Sequence, residues 1–365
     1  MINLPPQVKL GSRTVGDGYP TVFVAEVGNF YNQDINLAIE FLRKTHYAGA
    51  CIFKTEIIHD PNICLDSGMV CGFKHANGEE YEDYRALVER KIVSLEKYSV
   101  LFEECKKIGI EFLASVYDFE GVDFMKQQGA VALKIARDNI DNIPLIRRAA
   151  KTNLPIIFDA GVTYFHEVAR AVSCARQAGN GGVIVNHHPG KQPAPAEFHN
   201  FQIIESYKKA LNVPVGLACH YRGDEMLYVG IGQGVNIIEK GVVDDPDKID
   251  QDHVSCCNFQ ELPEIIEKVN NCWKSLGVSA YDPDEPRDMA RRKGIVAKKP
   301  INTGDLLTEE NISFAWPPIG IPVENWDRIL GCKAAKSLNQ LEPLRWKDVD
   351  FGTVKDYEIP DLTFS

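Results

Sequence analysis

The chain has 365 residues, 44% of them hydrophobic and 25% charged, which is the make-up of a folded globular protein long enough for one large domain and a small one. Its net charge of -11 at pH 7 excludes a nucleic-acid or anionic-membrane partner, because both need a basic face. A small anionic substrate stays open, since a few local cations suffice for it.

From residue 21 to about 278 the chain alternates short β-rich apolar runs with amphipathic stretches. The runs are Thr21–Val27, Gly49–Lys54, Ile110–Val116, Ala130–Ala136, Pro155–Ala160, Gly182–Asn186, Val213–Cys219 and Val235–Lys240. Helical periodicity follows them, as in Asp34–Thr45, Val122–Gln128, Tyr164–Gln177 and Leu262–Leu276. Eight units of continuously apolar strands predict a closed parallel (β/α)8 TIM barrel, whose strands are covered on both sides. The alternative is an open doubly wound sheet, but no Gly-x-Gly-x-x-Gly follows a strand, which also speaks against a nucleotide cofactor.

Ahead of the first run, Val8–Gly18 reads as a hairpin placed to close the barrel's bottom. Residues 57–81 form a long insertion after the second strand, of the length that serves as a lid. The Pro- and charge-rich stretch from Tyr281 reads as a linker, and a compact unit of short strands and turns follows it. No apolar run reaches the ~18 residues of a membrane span. The opening Met-Ile-Asn-Leu-Pro-Pro lacks a leader's basic and apolar regions. The ten cysteines lack paired zinc spacings and read as buried free thiols, which points to a reducing cytoplasm.

Chemistry-bearing residues gather at the ends of the runs: Lys54, Glu56, Tyr117, Asp118, Lys134, Arg137, Asp159, His187 and His220. In a barrel these ends share one rim, the rim that carries catalysis. Several phrases occur in order here: Ala-Glu-Val-Gly (25–28), Pro-Ile-Ile-Phe-Asp-Ala-Gly (155–161), Val-Pro-Val-Gly (213–216), Ile238-Glu239-Lys240 and Asp-Leu-Leu-Thr-Glu-Glu-Asn (305–311). With them the chain resembles the sialic acid (nonulosonic acid) synthase family over residues 1–352. The resemblance implies a barrel over 1–280, a linker over 281–293, a β-rich antifreeze-like SAF domain over 294–352 and a tail over 353–365.

It implies a reaction as well. Family members condense phosphoenolpyruvate with an open-chain N-acetylated amino sugar, forming a C–C bond and releasing phosphate, with a divalent ion (manganese or magnesium) polarising the aldehyde. Such chemistry needs fixed positive charge for the anion and an electrophile at the aldehyde. Lys54 and Lys134 match the two lysines that embrace phosphoenolpyruvate, although a strand-end lysine can also simply snorkel. Glu26 matches the first-strand glutamate, and a carboxylate there can pair with one of the lysines. Ser115 stands in for a threonine, and Asp252 matches the acidic residue after strand eight. Glu26, Lys54, Lys134 and Asp252 are thus the expected catalytic residues.

The departures are chemical. After the strand-four lysine, Arg137 and Asn139 replace the family's serine and glutamate; Asn139 cannot take up a proton, and Arg137 adds a planar donor fork suited to a phosphate or carboxylate. The serine after strand five becomes Asp159, which repels a phosphate unless paired, and that near the end of strand seven becomes Ala218. Of two metal-binding histidines His220 remains, and Gly241 replaces the other. His187 and His188 end strand six beside Cys219 and His220 of strand seven, so a rebuilt metal site of imidazole and thiolate is one reading. The other is that one of His187 and His188 faces outward while its neighbour donates to a backbone carbonyl.

Gln192 lies in the replaced stretch after strand six, and Trp316 aligns with the SAF arginine that reaches a partner's site. Ser115, Arg137, Asn139, Asp159, Gln192 and Trp316 are therefore the expected substrate contacts, with Trp316 roofing a neighbouring barrel or filling the SAF core. The family's assembly implies a domain-exchanged homodimer. Three functions follow: a synthase-like enzyme binding a small anionic and a sugar-like substrate, a diverged barrel doing aldol-type or isomerase chemistry, or a non-catalytic sugar-binding homologue.

Overall fold

A computed structural model describes residues 6–277 and 291–352. Residues 281–290 of the expected linker and the tail 353–365 lie outside the described residues. The chain divides between Gly277 and Val278 into two compact units.

In the first unit a hairpin, β1 (Val8–Leu10) and β2 (Arg13–Val15), precedes eight parallel strands. These are β3 (Val22–Gly28), β4 (Ile52–Ile57), β7 (Glu111–Val116), β8 (Leu133–Ile135), β9 (Ile156–Asp159), β10 (Val183–His187), β11 (Val215–Cys219) and β12 (Ile237–Val243). Each pairs with the next, and β12 pairs back onto β3, so the sheet closes as a TIM barrel. Closure rules out the open-sheet alternative. Strand β8 keeps three residues of the seven expected.

The helices form where periodicity and caps coincide. Asp118 accepts the Gly121 N–H at the start of α4 (Phe119–Gln128), and Gly129 ends it in the left-handed region, φ 80°. The insertion is more structured than a lid loop. It carries a second hairpin, β5 (Val70–His75) with β6 (Gly78–Asp83), and then α2 (Tyr84–Glu89).

The alternation of side chains along each strand sorts the barrel interior into layers. At the bottom Val24, Ile52, Leu113, Ala132, Ile157, Ile184 and Ile237 pack on Val8, Leu10 and Val15 of the first hairpin, which plugs the barrel. Two residues further along the same strands stand Glu26, Lys54, Ser115, Lys134, Asp159, Asn186 and Glu239. A polar layer therefore lies directly on an apolar floor.

The second unit has its own core, built from Ile295, Ile301, Leu307, Ile312, Ile321, Leu338 and Leu344 among others. It contains the antiparallel pair β14 (Gly294–Ala297) and β15 (Ile312–Ala315). No helix among the described residues is long and apolar enough to cross a membrane. All ten cysteines are free.

Candidate active site

Above the polar layer the barrel opens into a cavity of about 380 Å³, lined by Lys54, Ser115, Lys134, Asp159, Glu239 and the loops that follow the strands. That volume falls in the range of small-molecule sites. At its floor Glu239 is the hub. Its Oε1 accepts from Lys134 Nζ at 2.5 Å and lies 3.6 Å from Lys54 Nζ, while Asn186 Nδ2 donates to its Oε2 at 3.4 Å. Lys54 also contacts Glu26, and Lys134 contacts Asp159 Oδ2 at 3.0 Å. Glu239 thus ties the two lysines into one network.

The ionisation of this network follows from burial set against neighbouring charge. Burial pushes Asp159 up, but Lys134, His188 and Arg137 outweigh it and hold the carboxyl below its ordinary value. Glu239 is likewise held low, burial being overcome by Lys134 and Lys54. Burial pulls Lys134 down, yet Asp159 and Glu239 raise it above its usual value. Lys54 differs: burial, with Lys134 adding to it, holds its ammonium low against the pull of Glu239. The repulsive Asp159 expected from the sequence is thus a paired one, and both lysines face carboxylates.

The upper rim holds the remaining groups. Arg137 and Asn139 sit on a short 3-10 turn after β8, and both line the cavity. Tyr117 Oη donates to Glu56 Oε1 at 2.8 Å. Asp252 lines the cavity too, and burial, with Glu56 adding, pushes its carboxyl up to about 6 against Lys91 and Arg137. Lys91 comes from the insertion and donates to Gln251 Oε1 at 3.0 Å. Its neighbour Arg90 pairs with Glu82 at 3.0 Å and with Asp250 at 2.8 Å, which binds the insertion to the loop after β12.

The three histidines separate. His188 and His220 line the cavity with ring centroids 4.3 Å apart. His187 does not line it: its Nε2 lies 2.5 Å from the His199 carbonyl oxygen and its ring meets Phe201 edge-on. His187 is therefore withdrawn as a metal ligand. His188 Nδ1 accepts the Gly190 N–H at 2.8 Å, which puts the proton of the neutral ring on Nε2. Burial lowers His188 to about 4 and lowers His220 further, with His188 adding to the effect, so both are neutral at pH 7. Gln192 closes on His220 Nδ1.

These donors do not fit the two-histidine divalent-metal site that the resemblance implies. His188 has no free lone pair. At Gly241 a Cβ would stand 2.4 Å from Cys256 Sγ, so Cys256 fills the space a second histidine would need. Among the described residues no group of three His, Cys, Asp or Glu side chains is arranged to hold a metal ion. Trp316 lies in the second unit, 67% exposed, and donates to the Arg291 carbonyl at 2.8 Å; this rules out the reading that buries it in the SAF core.

Sequence reasoning missed Glu239 as a site residue, although its two-residue step from Ile237 marks it as an inward glutamate of an apolar strand. It also missed Lys91 and Cys256. Neither follows from strand alternation: Lys91 reaches the site from the insertion, far from Gln251 in the chain, and Cys256 folds back on Gly241 from the loop after β12.

A closed barrel with a polar layer over a plugged floor, followed by a small β unit, defines the class. The sequence matches the NeuB family over residues 33–281 and the SAF domain over 292–350, and the chain belongs to the NeuB family. An uncharacterised protein of Methanocaldococcus jannaschii is 30% identical, over 94% of this chain and 98% of its own length. An N,N'-diacetyllegionaminic acid synthase of Campylobacter jejuni is 26% identical over 89% of this chain and 99% of that one. Among solved structures, the N-acetylneuraminic acid synthetase of Leptospira borgpetersenii shares the fold with a TM-score of 0.69 at 23% identity, covering 78% of this chain and 95% of that chain.

Proposed function

We propose that the protein is a nonulosonic-acid-synthase-type enzyme of carbohydrate biosynthesis. It joins a small enol phosphate of the phosphoenolpyruvate type to the aldehyde carbon of an open-chain sugar and releases phosphate. The observation that carries this reading is the buried network Glu26–Lys54–Glu239–Lys134–Asp159, set beneath a ligand-sized cavity at the catalytic end of the barrel. Likeness to an N,N'-diacetyllegionaminic acid synthase, a pseudaminic acid synthase and an N-acetylneuraminate-9-phosphate synthase supports it.

Turning an enol phosphate into a ketone without an oxidant consumes one water, which adds either to the carbon that loses phosphate or to phosphorus. A base must take that water's proton. Asn139 cannot serve, whereas Asp252, with its carboxyl at about 6, is ionised at neutral pH and lines the same cavity. Lys54 and Lys134 supply fixed positive charge facing the charge that develops, worth about a hundredfold or more in rate per group.

The test is incubation with phosphoenolpyruvate and a panel of N-acetylated amino sugars, following phosphate release and the mass of the keto-acid product. Turnover should rise with pH through about 6, and this limb should vanish in Asp252→Asn. Failure to consume phosphoenolpyruvate with any aldehyde of the panel sinks the reading. One observation favours a second reading: burial holds Lys54 below the ordinary lysine value, which raises its share of free amine, the form that adds to a carbonyl in an aldol-type enzyme. A borohydride-trapped adduct of a 2-keto acid on Lys54 would decide for it.

A further inference from the structure

We infer that His188 is a further catalytic residue, an uncharged hydrogen-bond donor whose Nε2–H holds the aldehyde oxygen of the sugar as negative charge gathers on it. The inference rests on reading the cavity as a synthase site, and adds the protein group that meets the carbonyl end of the reaction.

The surroundings of His188 fix its ring. The residue follows β10 and precedes Pro189, which holds its backbone extended. Bare backbone lies against the imidazole: a Cβ on Gly161 would stand 2.7 Å from His188 Cγ and Nδ1, so any larger residue there would displace the ring. The His220 ring packs on it too, with centroids 4.3 Å apart and planes tilted by 34°. Gly190 turns the chain back with φ 81°, and its N–H donates to Nδ1 at 2.8 Å. Only 5% of His188 is exposed, which leaves little room for another rotamer.

These contacts leave one N–H free. A ring nitrogen that accepts an amide hydrogen bond must carry a lone pair, so the ring is neutral and its proton sits on Nε2. Among the described residues no group accepts that N–H, although His188 lines the cavity. A donor left without a partner in a nearly closed site is costly until a ligand takes it. His187, one residue earlier, shows the contrast. Its Nε2 meets the His199 carbonyl oxygen at 2.5 Å, and it stays out of the cavity.

The kind of oxygen follows from the charges. Lys54 and Lys134 carry the positive charge that suits the anionic substrate. A neutral donor does not compete for that anion. It suits an oxygen that is uncharged before reaction and gains charge as the C–C bond forms. A donor already in place for that charge needs no reorganisation, and losing one costs about a hundredfold or more in rate. His188 keeps its proton throughout.

The test compares two substitutions in the full chain. Asn places its amide oxygen where Nδ1 stood and so keeps the Gly190 contact, but has no atom at the Nε2 position. Gln reaches the Nε2 position with an amide N–H, but has no acceptor at Nδ1. Turnover of phosphoenolpyruvate with N-acetylglucosamine, N-acetylmannosamine and N-acetylgalactosamine is followed by phosphate release. His188→Asn should lose about a hundredfold in kcat with KM changed less than about threefold, and His188→Gln should recover most of that loss. Thermal unfolding should rank the two the other way, because Asn alone keeps the Gly190 bond. A role in packing alone would make kcat follow stability, with Asn above Gln, and that order overturns the inference. The nitrogen-15 resonances of the histidine rings give a second readout. Saturating wild-type protein with these sugars should move the His188 Nε2–H signal, assigned by its loss in His188→Asn. A signal that stays in place also overturns the inference. Wild-type protein whose His188 signal moves but which consumes no phosphoenolpyruvate sinks only the synthase reading. Full kcat in His188→Asn sinks only the inference.

Discussion

Glu239 shows how much one side chain can hold. It contacts both lysines and Asn186, and nothing else in the polar layer spans both halves of the network. Removing one partner of a buried pair leaves the other charge without compensation, at a cost of roughly 3–5 kcal/mol. Glu239→Gln keeps the volume and loses the charge, so chemical denaturation should register a loss of that order; a loss under about 1 kcal/mol would mean that Glu26 and Asp159 suffice. Gly241 offers a second measurement. Its Cβ position lies 2.4 Å from Cys256 Sγ, so Gly241→Ala should cost about 1–3 kcal/mol by overpacking. In a Cys256→Ala background most of that cost should disappear, and additive losses in the double-mutant cycle would refute the contact. Asp252 gives a pH signature. Its carboxyl holds a proton up to about 6 when folded against 3.8 as a free side chain, so the folded state binds more protons between those values. Stability contributed by this group is therefore full below about 4, falls as pH rises towards about 6, and is level above; Asp252→Asn should flatten that interval of a stability-versus-pH series.

At the scale of elements, the eight barrel strands were legible because continuous apolar runs and their following helices are local signals. The insertion was not. Its hairpin strands read Val-Cys-Gly-Phe-Lys-His and Gly-Glu-Glu-Tyr-Glu-Asp, and the second of them is mostly exposed and rich in residues that disfavour strands. What fixes the end of this insertion is tertiary: Arg90 joins Glu82 of its own hairpin to Asp250 of the loop after β12. The same logic divides the site. Glu26, Lys54 and Lys134 stand on regular strands and could be placed by alternation, whereas Lys91 owes its position to packing between distant segments and Cys256 to the fold-back of the loop after β12. Nor could alternation separate His187 from His188, because both end one strand and the step of one residue decides which faces the cavity. Arg90→Ala should free both segments at once. Amide hydrogen exchange should quicken over 58–93 and 244–256 together while β3 and β12 stay protected. Faster exchange in the insertion alone would mean that Asp250 is held by other contacts.

For the whole molecule the open matter is what the second unit does for the first. Each has its own hydrophobic core, so each has the means to fold as a unit. The second carries an apolar group that its core does not use: Phe314 is 49% and Trp316 67% exposed, and Lys293 Nζ lies 4.8 Å and 4.4 Å from their ring centroids. An indole with a cation over it offers an apolar face and positive charge together, a surface suited to a sugar bearing an acidic group. The family resemblance implies a domain-exchanged homodimer, and in such an assembly we expect this surface to serve a neighbouring barrel. The chain cut after Gly277 should keep a folded barrel by circular dichroism and lose turnover. Trp316→Ala should leave thermal stability within about 0.5 kcal/mol, since an exposed side chain contributes little to folding, and should raise KM for the sugar rather than lower kcat. Light scattering should give a dimer for both the full chain and this variant. A monomer at micromolar concentration, or a Trp316→Ala enzyme with unchanged KM, would return the second unit to a role within its own chain.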